Sequence, residues 1–273
     1  MTKPDGISII TCTHFPFYLD NIFANYARQT YPIKELIIIL NGPGINLSDF
    51  YKRAELHPHV RIIQLPESCS AGTCLNYAVG QTHYPYIANF DHDDYYAPEY
   101  LNDFMKIAPS SEAGVFGKKT HFVFFEEQKI LALLHPGREN SYVDYLIGCT
   151  LFMKKNIFEK IQFIDANIAD EQFGADCTKN GIKIYAIDKY NFAYIRRNDL
   201  SLHTYKLDNQ QLMEQYCQVV AQVSDFKPWV LGSFTFHACS LSEPVLAAGR
   251  HEFHPEAFAA LPDCRSHKSE EDE

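Results

Sequence analysis

The sequence predicts an α/β protein in which a Rossmann-like half with a parallel sheet leads into a half built on a mixed sheet, the two forming a single compact domain. Three observations carry that prediction. Across residues 6–110, short β-branched runs alternate with longer stretches of helical spacing, the sequence form of a parallel βαβ sheet. Beyond residue 110 the runs become short strands split by turns, which reads as mixed or antiparallel sheet. With 46 % hydrophobic residues in a chain of 273, there is material for a sizeable core, and collagen-like, low-complexity and mainly disordered chains are excluded.

Taken in order, residues 7–11 read as a strand and 17–28 as an amphipathic helix. Residues 35–40 form a buried-strand run closed by Asn41-Gly42-Pro43-Gly44. A third strand, 60–65, precedes a helix over 71–79, and a fourth, 86–90, runs into a dense acidic cluster. Each strand thus ends in a polar or glycine-rich loop, where open α/β sheets bind ligands. In the second half, 115–119, 121–125, 130–134 and 148–153 read as strands, followed by a helical piece over 155–161. A helix opens near Asp170 and stops at Asn180-Gly181, where glycine supplies the left-handed cap. Residues 182–187 and 192–195 read as strands, and the spacing over 208–223 is helical.

Acidic residues number 34 against 24 Lys plus Arg, a net charge of -10, so the chain has no basic footprint for nucleic acid. An acidic enzyme acting on anionic substrates needs local help from metal ions or helix N-termini. Aromatic residues are abundant, with 20 Phe and 17 Tyr beside one Trp. The 8 cysteines form no CxxC pair and read as thiols of a reducing compartment. No apolar stretch suits a signal or a membrane span, so the expectation is a cytoplasmic protein, with peripheral membrane contact left open.

The most informative segment is Phe90-Asp91-His92-Asp93-Asp94-Tyr95-Tyr96. Side chains alternate along a strand, so Asp91 and Asp93 converge if the extended geometry persists, and two hard oxygen ligands suit magnesium or manganese. The alternative is a solvated acidic turn with Asp94 capping the next helix; the position after a fourth α/β strand favours the metal. Asp170 reads both as a helix N-cap and as a proton acceptor, with Glu171 its rival. His203, downstream of Arg196 and Arg197, is a candidate nitrogen ligand, and the two arginines are candidates for a diphosphate or for surface charge. Lys118 and Lys119 carry the same pair of readings, weighted toward solvent. Tyr95, Tyr96, Tyr142 and Tyr145 are candidates to stack on the rings of a ligand or to fill the core. Zinc finds no second ligand pair at structural spacing, and no Walker lysine or Gly-x-Gly-x-x-Gly turn is present.

The segments ISIITCTHFPFYLDNIFANYARQTYPIKELIIILNG, AGTCLNYAVGQTHYPYIANFDHDDYYAPEYL, GCTLFMKKNIFEKIQF and ADEQFGADCTKNGIKIYAI together resemble the family 2 glycosyltransferases of the GT-A fold, over residues 6–205. That resemblance implies inverting transfer of a sugar from a nucleotide diphosphate donor, a UDP-sugar first, to a hydroxyl of a glycan or glycoconjugate acceptor, assisted by a divalent metal, manganese or magnesium. It places Thr11, Thr13, His14, Asn41, Asp91 and His92 at the nucleotide. Asn41 stands where the family commonly has an acidic residue. It gives Asp93, Asp91 and His203 to the metal, and it makes Asp170 the general base, with Ala169 replacing the family's glutamate. The implied organisation is a GT-A domain over 1–225, with a nucleotide-sugar half at 6–110 and an acceptor half at 111–225, then an extension at 226–265 and a disordered acidic tail at 266–273. The rivals are a sugar nucleotidyltransferase, which usually carries a glycine-rich phosphate loop that Thr11-Cys12-Thr13-His14-Phe15-Pro16 is not, and an inactive carbohydrate-binding protein of the same fold.

Overall fold

The computed structural model describes residues 5–232, which belong to one compact unit. The chain opens with three strand-helix units: β1 (Ile7–Thr13), α1 (Leu19–Arg28), β2 (Lys34–Leu40), α2 (Leu47–Ala54), β3 (Val60–Gln64) and α3 (Ala71–Gly80). Next come β4 (Tyr86–Asn89), the two-residue β5 (Tyr95–Tyr96) and α4 (Tyr100–Met105). The second half holds β6 (Val115–Gly117), β7 (His121–Phe125), β8 (Ile130–Leu134), β9 (Ser141–Tyr142), β10 (Phe152–Lys154), α5 (Asp170–Lys179), β11 (Ile184–Ala186), β12 (Phe192–Arg196), α6 (Asn209–Tyr216), β13 (Cys217–Gln222) and the single turn α7 (Lys227–Val230).

One sheet of 8 strands runs β3-β2-β1-β4-β10-β6-β11-β9 and a second of 5 runs β13-β8-β7-β12-β5. Strands β3, β2, β1 and β4 are parallel, while β10 enters antiparallel between β4 and β6. The order reverses beside β1: the chain steps outward to β3 and returns on the other side as β4. Such a switch point opens a crevice at the carboxyl ends of the two strands. Packing follows from alternation along β2, where Leu36, Ile38 and Leu40 face α1, α2 and α4, and Ile37 and Ile39 face α3 and α5. Gly181 caps α5 with φ +69, as expected.

The structure differs from the sequence reading in several places: α2, β5, α4 and β9 were not expected, and other elements change type. Residues 148–153 were expected as one strand, but Gly148–Thr150 form a 3-10 turn and only Phe152 begins β10. That turn exists because Gly148 donates its N–H to Asp170 and Thr150 accepts the N–H of Lys118 on its hydroxyl, both outside any ladder. The piece after it is likewise 3-10, Lys155–Glu159. The helical spacing over 208–223 is divided, since Val219 and its neighbours pair with β8 as β13 and satisfy that strand's free edge. Past residue 225 the packing continues: Phe226 stacks on Phe124, and Val230 is fully buried and accepts the N–H of Asn191. The acidic tail and the extension from 233 lie outside the described residues. So do Cys239 and Cys264, whereas the other six cysteines are free thiols. Among the described residues no helix is long and apolar enough to cross a membrane.

Candidate active site

The crevice beside β1 is built by loops that touch. After β1, Thr13 accepts the N–H of Phe15 on its hydroxyl and turns the chain, and its carbonyl accepts the N–H of Asn41 from the end of β2. Gly42 lies against His14 so closely that a Cβ there would meet the His14 carbonyl oxygen at 2.1 Å. The Asn41 carboxamide donates to the carbonyl of Cys69, tying this rim to the loop before α3. Thr11 and Thr13 are buried, while His14 is exposed with its ring 6.3 Å from that of His92. His92 in turn sets a ring nitrogen 3.2 Å from the Cys12 carbonyl. Thr13, His14, Asn41 and His92 therefore gather on one rim, while Thr11 lies buried two residues earlier on β1 and Asp91 follows two residues after β4.

Asp91 is held from both sides. Its N–H donates to the Tyr96 hydroxyl at 2.7 Å, which donates onward to the Cys149 carbonyl at 2.7 Å. Asn89 donates to the Gly148 carbonyl at 2.9 Å and reaches the Asp91 carboxylate at 3.4 Å. Burial, and then the negative charges of Asp93 and Asp170, push the Asp91 carboxyl up to about 7. Asp91 and Asp170 are also joined by contacts, because the Gly148 carbonyl that takes Asn89 belongs to the residue whose N–H goes to Asp170.

Asp170 is the first residue of α5, whose N-cap position is Ala169. Its carboxylate accepts the N–H of Glu171 at 3.1 Å and of Gly148 at 3.0 Å, so it fastens the 148–150 turn as well as starting its helix. Glu171 is exposed.

Asp93 is 8 % exposed and already has a cation: Arg197 donates to its carboxylate at 3.1 Å and to its backbone carbonyl at 3.1 Å. His203 lies beside this pair, Nδ1 4.0 Å from the Asp93 carboxylate. Its Nε2 accepts the N–H of Arg197 at 3.0 Å, which leaves the ring proton on Nδ1. As arranged, His203 turns an N–H toward Asp93 instead of a lone pair toward a metal. Burial, with help from Arg196, pushes its pKa down to about 4 and keeps it neutral.

Several sequence expectations change here. Asp94 caps no helix: it is buried, one carboxylate oxygen accepts the N–H of Ile195, and burial raises its pKa. Among the described residues, Asp91, Asp94 and Cys149 are the group whose candidate ligand atoms lie within 4.8 Å of one another. Cys149 and Asp94 are buried, and burial raises the pKa of both, so the thiol and the carboxyl lie in contact behind Asp91. Arg196 reaches no ligand, being fully buried with its N–H groups on Asn209, Tyr194 and the carbonyls of Tyr205 and Leu207. Lys118, expected in solvent, is fully buried on Asp188. Lys119 is partly buried with Nζ 3.5 Å from the Tyr145 ring centroid, and burial lowers it to about 8. Tyr96, a ring-stacking candidate, is fully buried against Phe90. Sequence reading missed Asn89, Tyr96 and Gly148 as supports of Asp91, and Tyr18 and Glu126 as neighbours of Arg197. No local motif signals them.

The ends of two helices approach the crevice, and both are occupied from within. At α3, Ser70 and Thr73 donate to Asp165, the N–H of Ala71 goes to Asn167, and that of Gly72 to the Ala166 carbonyl. At α5 the first turn carries Asp170 and Glu171.

A divalent cation fits the donor set by the chemistry of these groups. Asp91 and Asp93 offer hard oxygens, the negative charge on Asp91 is uncompensated, and Asp93 has drawn the nearest guanidinium to itself.

The family model for glycosyl transferase family 2 matches residues 8–162. The chain belongs to that family. Among solved structures, this glycosyltransferase family member is similar to S. aureus TarS 1-349, at 18 % identity and TM-score 0.56, over 70 % of this chain and 60 % of that one. The same protein in complex with UDP-GlcNAc gives 17 % and 0.57, over 70 % and 59 %. The mannosyltransferase PcManGT from Pyrobaculum calidifontis, in complex with GDP-Man and Mn2+, gives 14 % and 0.56, over 71 % and 57 %. These likenesses establish the GT-A fold. The family member described here spans about 60 % of the length of those chains. No curated protein sequence matches it.

Proposed function

We propose that this protein is an inverting, metal-assisted glycosyltransferase that moves a sugar from a nucleoside diphosphate sugar, a UDP-sugar in the first instance, to a hydroxyl of a glycan or glycoconjugate acceptor. The observation that carries the reading is the link across the switch point: Gly148 donates its N–H to Asp170 and accepts Asn89 on its carbonyl, and Asn89 reaches Asp91, two residues before Asp93.

The rim of Thr13, His14, Asn41 and His92, backed by Thr11 on β1, receives the nucleoside, with Asp91 at its inner edge. Asp91 and Asp93 hold the cation, and His203 supports Asp93. A bound divalent ion supplies charge neutralisation for the departing diphosphate. Asp170, fixed by the N–H of Gly148, accepts the proton of the attacking hydroxyl from the face opposite the leaving group. TarS and PcManGT were solved with a uridine and a guanosine nucleotide sugar respectively, so both bases belong in the test. Incubation with UDP- and GDP-sugars plus Mn2+ is expected to release nucleoside diphosphate. Pyrophosphate-dependent exchange in its place would make the protein a nucleotidyltransferase, and neither activity would leave a binding protein.

A further inference from the structure

This inference rests on the donor-site reading above and deepens it. We propose that Arg197 is an internal counter-cation, which holds Asp93 while no divalent ion is present, yields that carboxylate when one binds, and then serves the donor's diphosphate.

Arg197 is parked between two carboxylates: Asp93 at 3.1 Å from one terminal nitrogen and Glu126 at 3.6 Å from Nε. The Tyr18 ring supports the guanidinium at 5.1 Å. Among the described residues it is the one Lys or Arg in ion-pair contact with any of Asp91, Asp93, Asp94 and Asp170. Arg197 engages one oxygen of Asp93, so a divalent ion on the other oxygen would stand a few ångströms from the guanidinium, and the repulsion of like charges opposes joint occupancy.

The surroundings allow the side chain to leave while the backbone stays. His203 holds the N–H of Arg197, and the preceding Arg196 is locked by four hydrogen-bond partners. Glu126, half exposed, remains within reach of Nε as a pivot. A planar guanidinium released beside a diphosphate finds paired oxygens that match its geometry. Adjacent arginines thus divide the work, one anchoring the strand end and the other carrying a movable charge.

Competition and handover predict effects of opposite sign, which a purely structural ion pair does not produce. Calorimetry on the full chain with Mn2+ alone is expected to show tighter binding in Arg197→Gln than in the wild type. With UDP or GDP added in saturating Mn2+, the same variant is expected to bind nucleotide more weakly. Each change falls within the ~5- to ~150-fold range of ordinary coupling. Arg197→Lys keeps the charge on a single-point donor and moves in the same two directions by less, so it carries the test if the Gln variant does not fold. Mn2+ affinity unchanged or weakened in the folded variants, or nucleotide affinity equal to wild type, overturns the proposal. A wild-type protein that binds neither Mn2+ nor nucleotide overturns it together with the donor-site reading, whereas normal wild-type binding with indifferent variants overturns Arg197 alone.

Discussion

Asp91 and Asp93 stand two residues apart in the segment that follows β4, yet only one of them has a cation in contact. Asp93 has a guanidinium on its carboxylate and a neutral imidazole beside it. Asp91 has no cation in contact, two negative neighbours, and a pKa raised to about 7 by burial and by those neighbours. One carboxylate is paired with a guanidinium, and the other faces two negative neighbours without a cation in contact. Neighbouring acids in a motif are therefore not interchangeable, and substitutions separate them by sign as well as by size.

The largest effect is expected at the charge that presses on Asp91 from across the crevice. Asp170→Asn should lower turnover by ~100- to ~10,000-fold, measured as nucleoside diphosphate release, while calorimetry finds donor affinity retained. Unchanged transfer would remove Asp170 from the role of base.

Next comes the contrast itself, read as stability at pH 8. Asp93→Asn breaks a largely buried ion pair and should cost about 3 kcal/mol in urea unfolding. Asp91→Asn should instead stabilise the protein by about 1 kcal/mol or more. The sign follows from linkage: a folded pKa above the unfolded value means that stability falls as pH rises from about 3.8 to about 7. The gain from Asp91→Asn should accordingly fade toward pH 4, and two destabilising substitutions at pH 8 would break the comparison.

His121 sharpens it with a buried group of the other sign. Its Nε2 has no partner, and burial followed by the charge of His135 lowers its pKa to about 3. Between pH 6.5 and 3 the unfolded chain binds more protons, so stability falls with falling pH, by at most ~1.4 kcal/mol per pH unit from this group. His121→Phe should flatten that slope in unfolding curves at pH 7 and 5. The smallest effect belongs to Asp94→Asn, expected below about 1 kcal/mol, because a carboxyl kept neutral resembles a carboxamide.

The parallel half was legible because its signals are local. Strands β1 to β4 and helices α1 and α3 each follow from a periodic run with a turn behind it, and the acidic motif takes its meaning from the strand before it. The second half was less so. A run such as 208–223 changes from helix to strand at Cys217 because β8, far away in sequence, offers a free edge. Charge was the hardest to read: Arg196, Arg197, Lys118 and Lys119 look alike as two dibasic pairs, and only the acceptors that surround each one distinguish anchor from active-site cation. Likewise Tyr96 shows nothing local to mark it as the bridge between Asp91 and Cys149.

The occupied helix ends have a consequence for how an acidic protein handles a diphosphate. Free N–H groups at a helix N-terminus are the ready anion site of many nucleotide-binding folds. Here the α3 donors serve the 165–167 loop, and α5 begins with carboxylates of its own. Main-chain donors at α3 are thus spent on tying the first half of the chain to the second. Under the proposed function, what remains for the phosphates is positive charge that arrives or moves, which would make the chain's acidity and a need for cations two aspects of one architectural choice.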